Sequence, residues 1–234
     1  MIIKNRRSFI KGMLMAAVFV VVLVVMFMPV FKSGNAFRAA DKLFNTISKG
    51  STYYIPMLRE NAKAHVKETF NGTIKVAKEH TEDVRKVLST AGAQVSRAGD
   101  GLMLEASMGT LYEAVLRDSD DMFANRGKAL SDRYGIPEKR VLFAWWSCFR
   151  AIAKAMDAAK RFSESKYIAE LTSRGIEVGY NYYGVTPEKA ADRWLILTSA
   201  LIFYVIYTLW WGFAVYFLFE GFGLQLTAGH KKDS

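Results

Sequence analysis

At 234 residues and 51% hydrophobic content the chain has the size of one or two ordinary domains, but its apolar residues are concentrated at the two ends. An aromatic content of 14% excludes a disordered tail, a single cysteine excludes a disulfide scaffold, and two long uncharged runs exclude a purely soluble enzyme. The net charge of +10 favours anions or lipid headgroups as neighbours; nucleic acid is not expected, because no reader motif accompanies the charge.

Residues 1–11 form a basic flank, with Lys4, Arg6, Arg7 and Lys11 and no acid. Such a flank marks the side of a membrane that stays cytoplasmic, so these four residues are the expected topology determinants. Residues 12–31 then carry no charge. About 20 helical residues at roughly 1.5 Å each cover the ~30 Å hydrocarbon slab, so a first transmembrane helix is predicted there, ending near Pro29 and Lys32. A cleaved secretory signal has an apolar core of about 7–15 residues. The longer run argues for retention, although Gly34-Asn35-Ala36 supplies small residues where a signal peptidase needs them.

The flank reads Arg6-Arg7-Ser8-Phe9-Ile10-Lys11, which resembles the twin-arginine export signal over those six residues. The resemblance implies a middle domain that crosses the membrane already folded. The alternative is a basic flank with an accidental arginine pair.

Residues 32–193 are expected to form an extracytoplasmic domain. Their 26 Lys and Arg against 20 Asp and Glu do not oppose this, because loops longer than about 60 residues translocate with little regard to charge. The opening, residues 35–48, places Phe37, Leu43, Phe44 and Ile47 at helical spacings, and Gly50-Ser51 ends the pattern. Pro56 can start a second helix through Leu58, Ala62, Val66 and Phe70, closed by Asn71-Gly72. The alternation Thr73-Ile74-Lys75-Val76 predicts a strand, Val84, Val87 and Leu88 a helix, and two runs around Gly99-Asp100-Gly101 a hairpin whose Asp-Gly step accepts positive φ. Another helix is predicted over 109–125 through Leu111, Val115, Met122 and Phe123. A long one follows over 139–162, with Leu142, Trp145, Trp146, Phe149, Ile152 and Met156 as its buried stripe, and a last one over 164–174. Strand, helix, strand, strand, helix suits a sheet with helices on one face. Tyr180, Tyr182 and Tyr183 precede the second span, where aromatic rings mark a membrane interface.

Residues 194–219 are the second predicted transmembrane helix, and 220–234, with His230, Lys231 and Lys232, a cytoplasmic tail. The expected fold class is therefore α+β and membrane-anchored: two transmembrane helices flank a mostly helical extracytoplasmic domain with a small antiparallel-containing sheet. The expected location is the bacterial inner membrane, with both termini cytoplasmic.

Chemistry-bearing residues are sparse. His65 and His80 lack a histidine four residues away and His230 lies in the tail, so no metal site is expected. Cys148 reads as a buried thiol. Asp118, Asp120 and Asp121 lack the glycine and distal glutamate of a calcium loop and read as a solvated helix face. No G-x-S-x-G or H-E-x-x-H occurs, and no cofactor and no enzymatic activity are expected.

The second span carries Tyr204 and Tyr207 near its middle and Trp210 and Trp211 soon after. A phenol hydroxyl in hydrocarbon costs several kcal/mol without a partner, and the first span offers no polar side chain. Tyr204, Tyr207 and Trp211 are therefore the expected contacts to a further membrane helix, from a second copy or from another integral membrane protein. The resulting expectation is a non-catalytic accessory subunit of a membrane complex, such as a transporter, that covers or regulates its partner. The alternative is an extracytoplasmic ligand-sensing protein.

Overall fold

A computed structural model describes residues 3–30 and 34–224. The chain is mostly helical, α+β, with one three-stranded antiparallel sheet and two helices long and apolar enough to span a membrane. His230, Lys231, Lys232 and the expected stop at Lys32 lie outside the described residues. The chain divides into two compact units, residues 1–47 with 188–234, and residues 48–187.

In the first unit, helix α1 (Arg6–Phe27) is capped by Asn5, whose side chain accepts the Ser8 N–H at 3.2 Å. Arg6, Arg7 and Lys11 thus lie on the helix rather than before it. Helix α2 (Ala36–Ser51) is capped by Asn35, which accepts from the Arg38 N–H at 2.9 Å, and it continues through Gly50-Ser51. Its first twelve residues belong to this unit. The last long helix of the chain, Trp194–Phe222, ends at Gly223 in the left-handed region with φ +79°. It runs antiparallel to α1: Lys4 and Asn5 donate to the Gly221 carbonyl at 2.9 and 3.0 Å, and Phe19 meets Tyr207.

Small residues set that approach. A Cβ on Gly12 would stand 2.7 Å from the Leu218 nitrogen, and one on Gly221 2.7 Å from the Phe9 Cα. Lipid tails are as apolar as leucine, so helices in a membrane gain little from hiding apolar surface and depend on such close backbone packing.

In the second unit, α3 (Ile55–Ala62) has Pro56 in its first turn, close to the expected start, but stops at Ala62, and a short 3₁₀ turn, Lys63–His65, follows. Phe70, Asn71 and Gly72 are not its end. They lie inside β1 (Thr69–Ile74), where Asn71 pairs with Glu105 and Gly72 with Leu104. Thr69-Phe70-Asn71-Gly72-Thr73-Ile74 alternates exposed and inward residues, and that two-residue period overrides the turn propensity of Asn-Gly.

Helix α4 (Thr81–Thr90), β2 (Gln94–Ala98) and β3 (Gly101–Ser107) come next in the chain, and the sheet order is β1-β3-β2. The hairpin turns on Gly99-Asp100, with Gly99 at φ +56° supplying the positive φ, one residue earlier than the Asp-Gly step. Gly101 instead begins β3, where a Cβ would stand 2.6 Å from the Ile74 carbonyl of β1. Phe70, Ile74, Leu102 and Leu104 point into the core, whereas Asn71, Thr73, Glu105 and Gln94 face outward.

Against the inner face pack α4, α5 (Met108–Phe123) and α7 (Glu138–Ala158), and α6 (Gly127–Tyr134), which the sequence pattern did not announce, packs on those three helices. After Lys160, at φ +58°, α8 (Phe162–Leu171) passes through a single wide π turn, Thr172–Ile176, into α9 (Glu177–Asn181). The Trp194–Phe222 helix of the first unit is α10.

The acidic triplet corrects the sequence reading. Asp118 is fully buried and holds three elements together: it accepts from Tyr134 Oη at 2.5 Å, from Trp145 Nε1 at 2.8 Å and from the Arg133 guanidinium. Asp118 sits three residues after Val115 and four before Met122, so it belongs to the inward stripe of α5. Asp120 and Asp121 are partly exposed; Tyr53 Oη donates to Asp120 at 2.9 Å, and Arg126 to Asp121 at 2.9 Å. Cys148 is buried, and burial pushes its thiol well above the usual range.

Candidate functional site

Adjacent residues on a helix point about 100° apart, so Trp145 and Trp146 cannot share one buried stripe. Trp145 is the core residue, with its indole fully enclosed. Trp146, expected beside it, instead walls a groove between α7 and the π turn with α9.

Two glycines place the opposite wall. A Cβ on Gly179 would stand 2.8 Å from the Ser119 carbonyl, and one on Gly175 3.3 Å from Leu58, so α9 and the π turn ride close to α5 and α3 on their glycine face. The extra residue of the π turn re-aims the side chains of α9, and such turns recur at functional sites. Ile176, Glu177 and Tyr180 consequently face Leu142, Phe143 and Trp146 across a cavity of about 220 Å³.

A second cavity of about 360 Å³ shares Phe143 and Tyr180 with the first and extends toward His80, Lys139 and Arg140. The rings are mutually supported: Phe143 lies 5.4 Å from Trp146, and His80 packs edge-on to Phe143 at 4.5 Å. Glu177 fixes the indole by accepting from Trp146 Nε1 at 2.9 Å. Arg150 stacks 4.5 Å from the Trp146 ring and Lys139 5.5 Å from the Tyr180 ring. Arg140 is engaged by Asp83 at 2.7 and 2.8 Å.

This arrangement is suited to binding. Aromatic faces supply apolar contact, one carboxylate gives polarity on one wall, and cations stand at the rim. Neither cavity is lined by Ser, Thr or Cys. Among the described residues no group of three or more His, Cys, Asp or Glu side chains is placed to hold a metal ion. His65 Nδ1 lies 2.6 Å from the accepting Glu68 carboxylate and its ring stacks on Tyr167 at 4.7 Å, as a packed histidine does.

The tyrosines expected at a membrane interface pack within the unit of residues 48–187. Tyr180 lines the groove, Tyr182 meets Phe123 at 6.5 Å, and Tyr183 packs against the core. The carbonyls of Tyr182 and Val185 accept from the buried Lys49 ammonium at 3.0 and 2.6 Å, which ties this segment down.

In the hairpin, the expected membrane-contact residues separate. The Tyr207 hydroxyl does not need a further helix: it donates to the backbone carbonyl of Phe19 at 3.1 Å, and its ring stacks on Phe19 at 4.0 Å. The first span lacks polar side chains, but its carbonyl oxygens have a second lone pair to offer. Trp211 leans on Phe19 at 4.7 Å and stays 44% exposed. Tyr204, at 65%, faces outward. At the other end Lys11 sits 4.0 Å over the Phe217 ring, and Arg6 and Arg7 are exposed.

No family model, no curated protein and no solved structure matches this chain.

Proposed function

We propose that the protein is a membrane-anchored, non-enzymatic accessory subunit. The α1–α10 hairpin tethers it in a bacterial inner membrane, and the aqueous unit binds an apolar or aromatic group of a partner membrane protein through the groove of Phe143, Trp146 and Tyr180. The observation that carries this reading is that groove: three aromatic side chains, preorganised by Glu177, the π turn and Gly179, with open faces. The basic run Lys4, Arg6, Arg7 and Lys11 supports cytoplasmic termini and an extracytoplasmic aqueous unit. Antiparallel packing of α1 on α10, which brings Lys4 to Gly221, suits two crossings that return to one side.

The outward Tyr204 supports a partner helix in the membrane as well, since its hydroxyl stands on an otherwise apolar surface. The aromatic lining of the groove also suits a second reading, a small planar solute bound in place of a partner side chain.

Purification of the full chain in mild detergent, with identification of stoichiometric companions, tests the proposal. A companion protein retained by the parent and lost from Trp146→Ala is the expected result. Recovery of the parent as a lone monomer overturns the accessory role, and a small molecule released from the parent but absent from Trp146→Ala establishes the solute reading.

A further inference from the structure

The hairpin unit carries a cavity of its own, of about 590 Å³, between the first turns of α10 and the first twelve residues of α2. Its volume lies within the roughly 300–1,000 Å³ of ligand sites. Its walls are Ala36, Ala39, Leu43, Phe44, Ile196 and Ala200, an apolar trough beside the start of a helix built to cross a bilayer.

Its polar end is arranged by charge. Thr46 closes back on its own helix through the Leu43 carbonyl at 2.7 Å, and its carbonyl accepts the Glu188 N–H at 3.0 Å. The Glu188 carboxylate is occupied by Arg193, which donates to both oxygens at 2.7 and 2.8 Å. With that pair neutral, Lys42 at the same rim stands as a cation with no hydrogen-bond or ion-pair partner among the described residues. Arg38, four residues earlier, shares its face of α2.

Alternating with these cations, α2 exposes Phe37 (45%) and Phe44 (54%), the two-sided pattern of a helix lying in a headgroup layer. An apolar trough, a membrane-spanning wall and an unbalanced cation at the mouth together complement one molecule: an anionic phospholipid.

We infer that the α2–α10 trough binds a single anionic phospholipid, one acyl chain lying between Ala39 and Ile196 and the phosphate resting against Lys42 and Arg38. The inference rests on residence of the hairpin in a bilayer and is independent of the aromatic groove. The full chain, exchanged into a delipidating detergent and given back either phosphatidylglycerol or phosphatidylcholine, is to be weighed by native mass spectrometry. One phosphatidylglycerol per chain is expected to remain, with at least roughly fivefold preference over phosphatidylcholine, since each basic residue near anionic lipid provides about that factor.

Lys42→Glu, at an exposed position, is expected to abolish the preference. Ala39→Trp, which fills the trough, is expected to lose both lipids, whereas Trp146→Ala retains phosphatidylglycerol as the parent does. Equal retention of the two lipids by the parent, undiminished retention by Lys42→Glu, or a lipid-free dimer that occupies the trough with a second copy overturns the inference.

Discussion

The two units are held together by opposite means. In the unit of residues 48–187 a buried carboxylate, Asp118, joins α5, α6 and α7 through Tyr134, Arg133 and Trp145 inside an otherwise apolar core. In the hairpin, by contrast, Gly12 and Gly221 let one backbone rest on another. Water makes apolar burial strongly favourable, so the aqueous core tolerates an ionic centre that fixes which helices meet. Were the hairpin in a bilayer, that drive would be missing and atomic fit between backbones would replace it.

Removal of the ionic centre is the largest expected perturbation. Asp118→Ala leaves the Tyr134 hydroxyl, the Trp145 N–H and the Arg133 cation short of a partner and is expected to cost about 3–5 kcal/mol. Thermal melting of the aqueous unit in the detergent-solubilised chain checks this; an unchanged melting temperature would make the carboxylate dispensable. The matched perturbation in the hairpin is Gly12→Leu, which drives a side chain into the Leu218 backbone and is expected to cost about 1–3 kcal/mol. A short bismaleimide joining Phe19→Cys to Tyr207→Cys, positions whose rings stack at 4.0 Å, is expected to react with the parent background and far less with Gly12→Leu.

Acid separates the units without mutation. The Glu138 carboxyl is held below its ordinary range by its own backbone N–H at the start of α7 and by the Ser131 hydroxyl, and Glu164 by its own N–H and by Arg161. A depressed carboxylate stabilises the fold fully above its unfolded value of 4.5, and that stability disappears as pH falls through the lower folded value. The aqueous unit is therefore expected to lose stability as pH drops below about 4.5, and the doubly substituted Glu138→Gln, Glu164→Gln chain to lose less. The uncharged runs 12–31 and 195–219 contain no carboxylate, so their helical circular dichroism is expected to persist over the same range.

The smallest effect belongs to Tyr207→Phe, which removes one hydrogen bond to the Phe19 carbonyl and leaves the stacked ring in place. Bonds of this kind in membranes average about 0.6 kcal/mol. Cross-linking of a Phe9→Cys, Phe222→Cys pair, positions whose rings lie 5.3 Å apart, that fell as far with Tyr207→Phe as with Gly12→Leu would show that the hydroxyl, not glycine packing, holds the helices.

Much of the fold was legible in the sequence because its signals are local. The uncharged runs, the two-residue alternation around Leu102 and Leu104, and the helical stripe from Leu142 to Met156 each derive from a period readable within a few turns. Asp118 was legible as well, since its spacing from Val115 and Met122 places it on the inward stripe; its acidic neighbours outweighed that signal. Trp146 was separable from Trp145 by the same arithmetic of helical angle.

Asn71-Gly72 shows the limit. The dipeptide favours a turn in isolation, and pairing with Glu105 and Leu104 on a strand some thirty residues away keeps it extended. The groove was beyond reach for a related reason: Trp146 and Glu177 meet through a π turn whose extra residue no periodicity announces. Tyr207 finding the Phe19 carbonyl depends likewise on two helices 188 residues apart in the chain. The sequence by itself determined which segments are apolar, which alternate and which carry charge, because those properties belong to residues and their near neighbours. Which polar groups found partners, and which aromatic faces stayed open, was decided only when distant segments packed, since a hydrogen bond or a stacked ring requires a second surface whose position the first does not encode.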